Sequence, residues 1–230
     1  MKIVAITGTG VKGCTWHIKE AFLDPCRTRE HSIVEFTLPN DFPHFCLGCK
    51  TCFNETEEKC PHHQALNPIL EAILESDLLV FAYPVYVMRA PGQVKALLDH
   101  LGFQWFVHRP NPLMFKKRAV ILTNSIGAPN GAAQKDVKTS LNWMGVSDIK
   151  RYSFPLMEGV VWDELSEKRR NKILLGCKKA AEEQLQKSGT PSMNLKVKMI
   201  FTLNKMLQKN LYKKGLDTAD LRHWKKQGWL

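Results

Sequence analysis

The chain has 230 residues, a formal net charge of +11, 44% apolar and 24% charged residues, which is ample for one domain of roughly 180–200 residues with a short appendage. Its longest apolar run, Leu78–Met88, is 11 residues and contains Pro84, too short for a membrane span. An N-terminus that enters a strand at once leaves no room for a signal peptide, and seven cysteines, four of them clustered, argue against a secreted disulfide framework, so the expected compartment is the cytoplasm.

The charge is unevenly placed. Residues 195–230 hold eight Lys and one Arg against two Asp, a net of +7, which leaves +4 for the first 194. No nucleic-acid motif accompanies this basic tail, so no nucleic-acid partner is expected.

In chain order, Ile3-Val4-Ala5-Ile6 is an apolar run suited to an interior strand of a parallel sheet. Thr7-Gly8-Thr9-Gly10-Val11-Lys12-Gly13-Cys14-Thr15 follows, then a helix-compatible segment. A strand, a glycine-rich turn and a helix build an anion site, because glycines let backbone N–H groups approach a phosphate and the helix start adds partial positive charge. Thr7, Thr9 and Thr15 supply hydroxyls, and Lys12 is the loop's only charge. Gly8-x-Gly10-x-x-Gly13 fits a dinucleotide fingerprint with Glu35 22 residues beyond Gly13, but Glu35 lies inside its strand. A nucleoside-triphosphate loop fails because Cys14 stands at the lysine position. A hydroxyl-rich loop for the single phosphate of FMN is the third option, and an ordinary strand–helix turn the fourth.

A second strand is expected over His31–Pro39 and a cysteine-bearing loop over 42–62. In that loop Cys46-x2-Cys49-x2-Cys52-x7-Cys60-Pro61 is the most specific spacing in the chain: three thiolates at i, i+3 and i+6 can wrap a compact cluster, and a fourth before proline completes a [4Fe–4S] site. Zinc is the metal rival, since His44, His62 and His63 flank the loop. Cys14, Cys26 and Cys177 read as structural thiols.

Residues 65–76 place Leu66, Ile69, Leu70, Ile73 and Leu74 on one helical face, with Pro68 in the first turn. Strand three is Leu78–Tyr83, and it runs into Pro84-Val85-Tyr86-Val87-Met88, an apolar and aromatic loop where loops should be polar. A flat apolar ring alongside would explain it, with N–H groups of Val85 to Val87 meeting ring acceptors and Tyr86 or Met88 packing on a face; filling core under a neighbouring loop is the bland reading. A helix from Pro91-Gly92, strand four at Arg118–Thr123, a polar loop, a helix to Met144-Gly145, strand five at Ile149–Met157 and a long helix over 163–188 complete the pattern. Five strands alternating with helices imply a doubly wound parallel sheet with functional loops at its carboxyl edge. The tail adds a basic amphipathic helix with Ile200, Leu203, Leu207 and Leu211 on one face. A membrane surface is compatible with 195–214, but packing on protein is favoured. Trp224 and Trp229 then clamp the tail onto the domain or a dimer mate.

The phosphate loop, the cysteine loop, Pro84-Val85-Tyr86 and the following Gln93-x-Lys95-x3-Asp99 helix together resemble the flavodoxin-like NAD(P)H-dependent FMN reductases, closest to the branch that includes iron–sulfur flavoproteins. The resemblance implies a flavodoxin-like α/β fold of strand order 2-1-3-4-5 over residues 1–190, with a helical extension at 191–230. By position it assigns FMN to Thr9, Lys12, Gly13, Cys14 and Thr15, to Pro84, Val85, Tyr86, Val87 and Met88, and to Asn124, Ser125 and Gly127. Relatives usually carry Ser-Pro-Arg where this chain has Thr9-Gly10-Val11, and Asn where it has Cys14. The resemblance also implies NAD(P)H as donor, a small-molecule or protein acceptor and a homodimer. It offers two readings of the cysteine loop: an iron–sulfur cluster on Cys46, Cys49, Cys52 and Cys60, or a metal-free lid over the flavin. The lid is preferred, because the gap before Cys60 is long and Glu55, Glu57 and Glu58 add negative charge beside the thiolates. The expected function is an FMN-dependent oxidoreductase; the rivals are an electron-transfer iron–sulfur flavoprotein and a non-catalytic flavin or redox sensor. No acid–base residue is assigned.

Overall fold

The computed structural model describes residues 1–230. Five strands, β1 (Lys2–Thr7), β2 (Ser32–Thr37), β3 (Leu78–Pro84), β4 (Arg118–Ser125) and β5 (Asp148–Pro155), form one all-parallel sheet in the order β2-β1-β3-β4-β5. This is the expected flavodoxin-like arrangement. Strands β1, β3 and β4 are buried along almost their whole length, which is why they read as uninterrupted apolar runs. The outer strands β2 and β5 are half exposed and mix in charge, hence their weaker signals.

The helices are α1 (Cys14–Thr28), α2 (Thr51–Asn54), α3 (His63–Glu75), α4 (Gly92–His100), α5 (Gly131–Trp143), α6 (Glu167–Leu185), α7 (Leu195–Lys213) and α8 (Ala219–Lys226). Two apolar cores flank the sheet. One holds Val4, Ile6, Phe81, Leu97 and Val137 under α3–α5; the other holds Ile3, Ala5, Val80, Phe22 and Cys177 under α1 and α6. No helix is long and apolar enough to cross a membrane.

Three expectations need correcting. Helix α3 starts at His63, so Pro68 lies inside it rather than in its first turn. Residues 162–164 form a separate 3-10 turn, and α6 begins only after Ser166, whose hydroxyl accepts from the Arg169 N–H and caps it. The third concerns α7, which docks by a different face from the one its leucines suggest. Val197, Asn204 and Gln208 are buried, Phe201 stacks on Trp224 at 5.3 Å, and Gln208 donates to the Val107 carbonyl at 2.8 Å. Met199, Leu203 and Met206 are left exposed. The body beneath offers both an aromatic wall and a free carbonyl, and that pairing outweighs the aliphatic stripe.

Trp224 is fully buried and donates to the His108 carbonyl at 2.7 Å, while Trp229 packs on Phe115, Phe201 and Trp224. The tail is therefore clamped onto its own chain. Asp220 of α8 accepts from His108 Nδ1 and Arg109 Nη1, each at 2.8 Å.

Candidate functional site

In this strand order the chain leaves β1 for β2 on one side and later returns to β3 on the other. The crevice at the carboxyl ends of β1 and β3 is the topological switch point. A cavity of about 330 Å³ opens there, lined by Thr9, Val11, Gly13, Cys14, Thr15, Pro84, Val85, Tyr86, Asn124, Ser125, Ile126, Leu156 and Val160. Nine residues singled out from the sequence thus meet around one space. Lys12, Val87, Met88 and Gly127 do not line it.

One end of the cavity is the phosphate loop. Helix α1 begins at Cys14 with Gly13 as its cap residue and no side-chain cap, so its first N–H groups lack an intrahelical or capping partner. That is the electrostatic equipment for a phosphate. Gly8 is required for a different reason: a Cβ there would stand 2.6 Å from Tyr83 Cβ and collide with Val94, so the loop packs directly on the β3–α4 corner. Thr15 Oγ1 donates to Asn124 Oδ1 at 2.7 Å, which ties the two loops together and uses the proton expected to serve the phosphate. Thr7 Oγ1 is buried with no partner and lies off the cavity. Burial pushes the Cys14 thiol upward, and its Sγ donates to the Val160 carbonyl at 3.2 Å. It is a latch between loops rather than a thiolate. Glu35, the would-be ribose acid, is taken up by ion pairs with Lys19 and Arg27.

The other end is apolar. Val11, Tyr86, Ile126 and Val160 line it and are exposed, and the neighbouring Val87, Met88 and Met157 are exposed too, a concentration of bare apolar surface that marks a binding site. The Val85 N–H donates to the Asn124 carbonyl at 2.8 Å and the Tyr86 N–H to the Arg89 carbonyl at 3.1 Å, so neither is free for a ring. Val87 and Met88 keep free N–H groups at the tip of a two-residue turn closed by Tyr86 and Arg89, both with positive φ (47° and 64°). Such a turn ordinarily takes Asn-Gly. Arg89 and the Ala90 N–H hold this loop to Asp136 of α5. Burial raises the Asp136 pKa, but the Arg89 and Ala90 hydrogen bonds outweigh it and the net shift is downward.

Sequence reasoning missed the third wall, Leu156 and Val160 after β5. Leu156 donates to the Ser125 carbonyl at 2.8 Å, folding the 156–161 segment over the site. The available signal was the run of apolar residues, Met157, Val160 and Val161, around Gly159 just past the last strand.

The cysteine loop contributes nothing to this cavity. It lines a second one of about 350 Å³, with Cys46, Cys49, Cys52, Cys60, His62, Asp99 and His100 in its wall. Arg109 donates to the Cys52 and Phe53 carbonyls and pairs with Glu57, and thereby fastens the loop towards α8. Cys46 and Cys49 are exposed and Cys52 and Cys60 half-buried. The Thr51 hydroxyl at 3.3 Å lowers the Cys49 thiol, while burial followed by the neighbouring thiols raises Cys52.

The strand order and the cavity at the switch point define a protein of flavodoxin-like fold. The family model for NADPH-dependent FMN reductase matches residues 1–160, and the chain belongs to that family. It is 24% identical to an iron-sulfur flavoprotein of Archaeoglobus fulgidus over the full length of both chains. It is 29% identical to an FMN-dependent NADH:quinone oxidoreductase of Cereibacter sphaeroides over 110 residues, 42% of this chain and 56% of the other, so the match spans only about half the length of that relative. An NAD(P)H:quinone oxidoreductase from Methanothermobacter marburgensis shares the fold, with a TM-score of 0.61 at 15% identity over 81% of this chain and 98% of that one.

Proposed function

We propose that the chain binds FMN in the switch-point cavity and works as an NAD(P)H-dependent oxidoreductase on a planar acceptor of the quinone or azo class. The observation that carries this reading is the polarity of one cavity: an uncapped helix start with hydroxyls at one end, a bare apolar rim at the other. One phosphate and one flat ring match that division better than an extended dinucleotide does. FMN, when bound, supplies the hydride and electron chemistry. The chain's own residues do the rest. Gly13 and the first turn of α1 receive the phosphate, and Thr15 with Asn124 fixes the spacing of the two loops. The free N–H groups of Val87 and Met88 are available to ring acceptors, and Tyr86 packs beside them. No carboxylate lines the cavity, and a hydride transfer asks for none.

Residues 1–190 carry this activity in our reading, and 191–230 form a brace. The homodimer implied by the family resemblance belongs to the same proposal, and light scattering of the purified protein tests it. Cofactor released by heat should co-elute with FMN on chromatography, and the holoprotein should oxidise NADH or NADPH with a quinone or azo dye as acceptor. Recovery of FAD, or of no flavin after reconstitution, would sink the assignment.

A second reading is favoured by one observation: all four loop cysteines line a single cavity. They would hold an iron–sulfur cluster there, and the chain would pass electrons singly to a partner protein. The full-length match to an iron-sulfur flavoprotein points the same way. Stoichiometric iron and acid-labile sulfide in anaerobically purified protein would establish it.

A further inference from the structure

We propose that Cys60, His62 and His100 form a binding site for a single zinc-class divalent ion, separate from the flavin cavity and distinct from a four-cysteine cluster. The ligating atoms of these three side chains all lie within 4.8 Å of one another. They come from two pieces of chain: Cys60 and His62 flank Pro61 where the cysteine loop runs into α3, and His100 is the last residue of α4.

Hydrogen bonding assigns the tautomers. His100 is buried, and its Nδ1 lies 2.7 Å from the Ala96 carbonyl, which can only accept, so Nδ1 carries the proton. Its Nε2 therefore presents a lone pair to the cavity. A backbone carbonyl behind the far nitrogen is the arrangement that orients metal-bound imidazoles. His62 Nδ1 stands 2.8 Å from that lone pair and donates its own proton to it. A tetrahedral ion with Zn–N near 2.0–2.1 Å separates two ligand nitrogens by roughly 3.3 Å, so the ion takes the place of that shared proton with an opening of about half an ångström.

The surroundings favour the ion. The His62 ring is held by stacking on His44 at 4.4 Å. Phe42 packs edge-on against His100 at 4.7 Å. Asp99 in the cavity wall pairs with Lys95 and is not a free competitor. One soft thiolate with two imidazoles suits zinc, and since all three residues line the cavity a solvent molecule would complete the four ligands. On binding, Cys60 loses its thiol proton to solvent while the His62 proton moves from Nδ1 to Nε2. About one proton is released per ion, against as many as four for a site of four thiols.

The test is zinc retention after dialysis of the full-length holoprotein, with proton release followed in weakly buffered solution. Wild type should retain one zinc per chain, release about one proton and melt higher with zinc. C60S and H62A should each weaken binding by more than the roughly 10–100-fold that loss of an outer partner costs. C46S and C49S should bind within a few-fold of wild type. His62 is only partly buried, and bound flavin reports whether H62A is folded. For buried His100, H100Q should also lose the ion. Failure to retain zinc would overturn the site. Zinc binding that survives H62A, or that depends equally on Cys46 and Cys49, would return the loop to a four-cysteine site. FMN content is untouched by either result, since the two cavities share no residue.

Discussion

At the residue scale, Val87 and Met88 are where the backbone carries strain. Positive φ suits glycine and asparagine, and a β-branched or bulky residue there costs on the order of 1–2 kcal/mol. Replacing the pair with Asn-Gly should raise the melting temperature of the flavin-free protein, by about 1–2 kcal/mol in stability, and should weaken flavin binding if these side chains cover the ring. A gain in stability with unchanged flavin affinity would show that the turn serves something else. Lys12 and Thr15 sit differently from one another: Lys12 is exposed beyond the cavity rim, and Thr15 is buried and bonded to Asn124. Changing both to Ala should cost on the order of 2–4 kcal/mol of FMN affinity if the phosphate draws the Lys12 ammonium inward and takes the Thr15 hydroxyl from Asn124, hydrogen bonds to charged groups being worth about 1.5–3 kcal/mol each. The Thr15 change should also loosen the Asn124 loop. Isothermal titration of the two single variants separates the shares.

Among the elements, the β3–α4 loop is held in place from α5. Asp136 accepts from Arg89 and from the Ala90 N–H, and its pKa lies below the ordinary aspartate value. A depressed folded-state value contributes stability above the unfolded pKa of about 3.9 and loses it as pH falls through the folded one. The difference in melting temperature between wild type and D136N should be largest near neutrality and vanish in strong acid. A difference that grew on acidification would contradict the clamp. Helix α7 offers a second check, because its docked face is not its aliphatic one. Phe201→Ala should destabilise by about 3 kcal/mol through lost aromatic packing. Met199→Ala, on an exposed position, should stay within about 0.5 kcal/mol.

For the molecule as a whole, the tail behaves as part of the core. Asp220 on α8 receives His108 and Arg109, and Arg109 in turn holds the cysteine loop through Cys52, Phe53 and Glu57. A change in the last helix therefore reaches the second cavity. Arg109→Ala should cost about 3 kcal/mol, as expected when one member of a largely buried charge cluster is removed. It should also speed alkylation of Cys52 relative to Cys49. Equal rates in both proteins would mean that Arg109 does not restrain the loop.

The sequence by itself determined the sheet, because β1, β3 and β4 are buried on both faces and burial leaves an unbroken apolar run. It also determined the two ends of the switch-point cavity, since a glycine-rich strand–helix turn and an apolar loop at the carboxyl edge are local features. Everything set by long-range contact needed the fold. Leu156 and Val160 enter the site only because the Ser125 carbonyl receives Leu156. His100 is one of eight histidines in the sequence, 38 residues from its partner His62, and only the packing of α4 against the start of α3 brings them to 2.8 Å. The docking face of α7 was hidden for the same reason. Amphipathic spacing shows that a helix has an apolar stripe, whereas the side that is covered depends on the aromatic wall and the free carbonyl it meets.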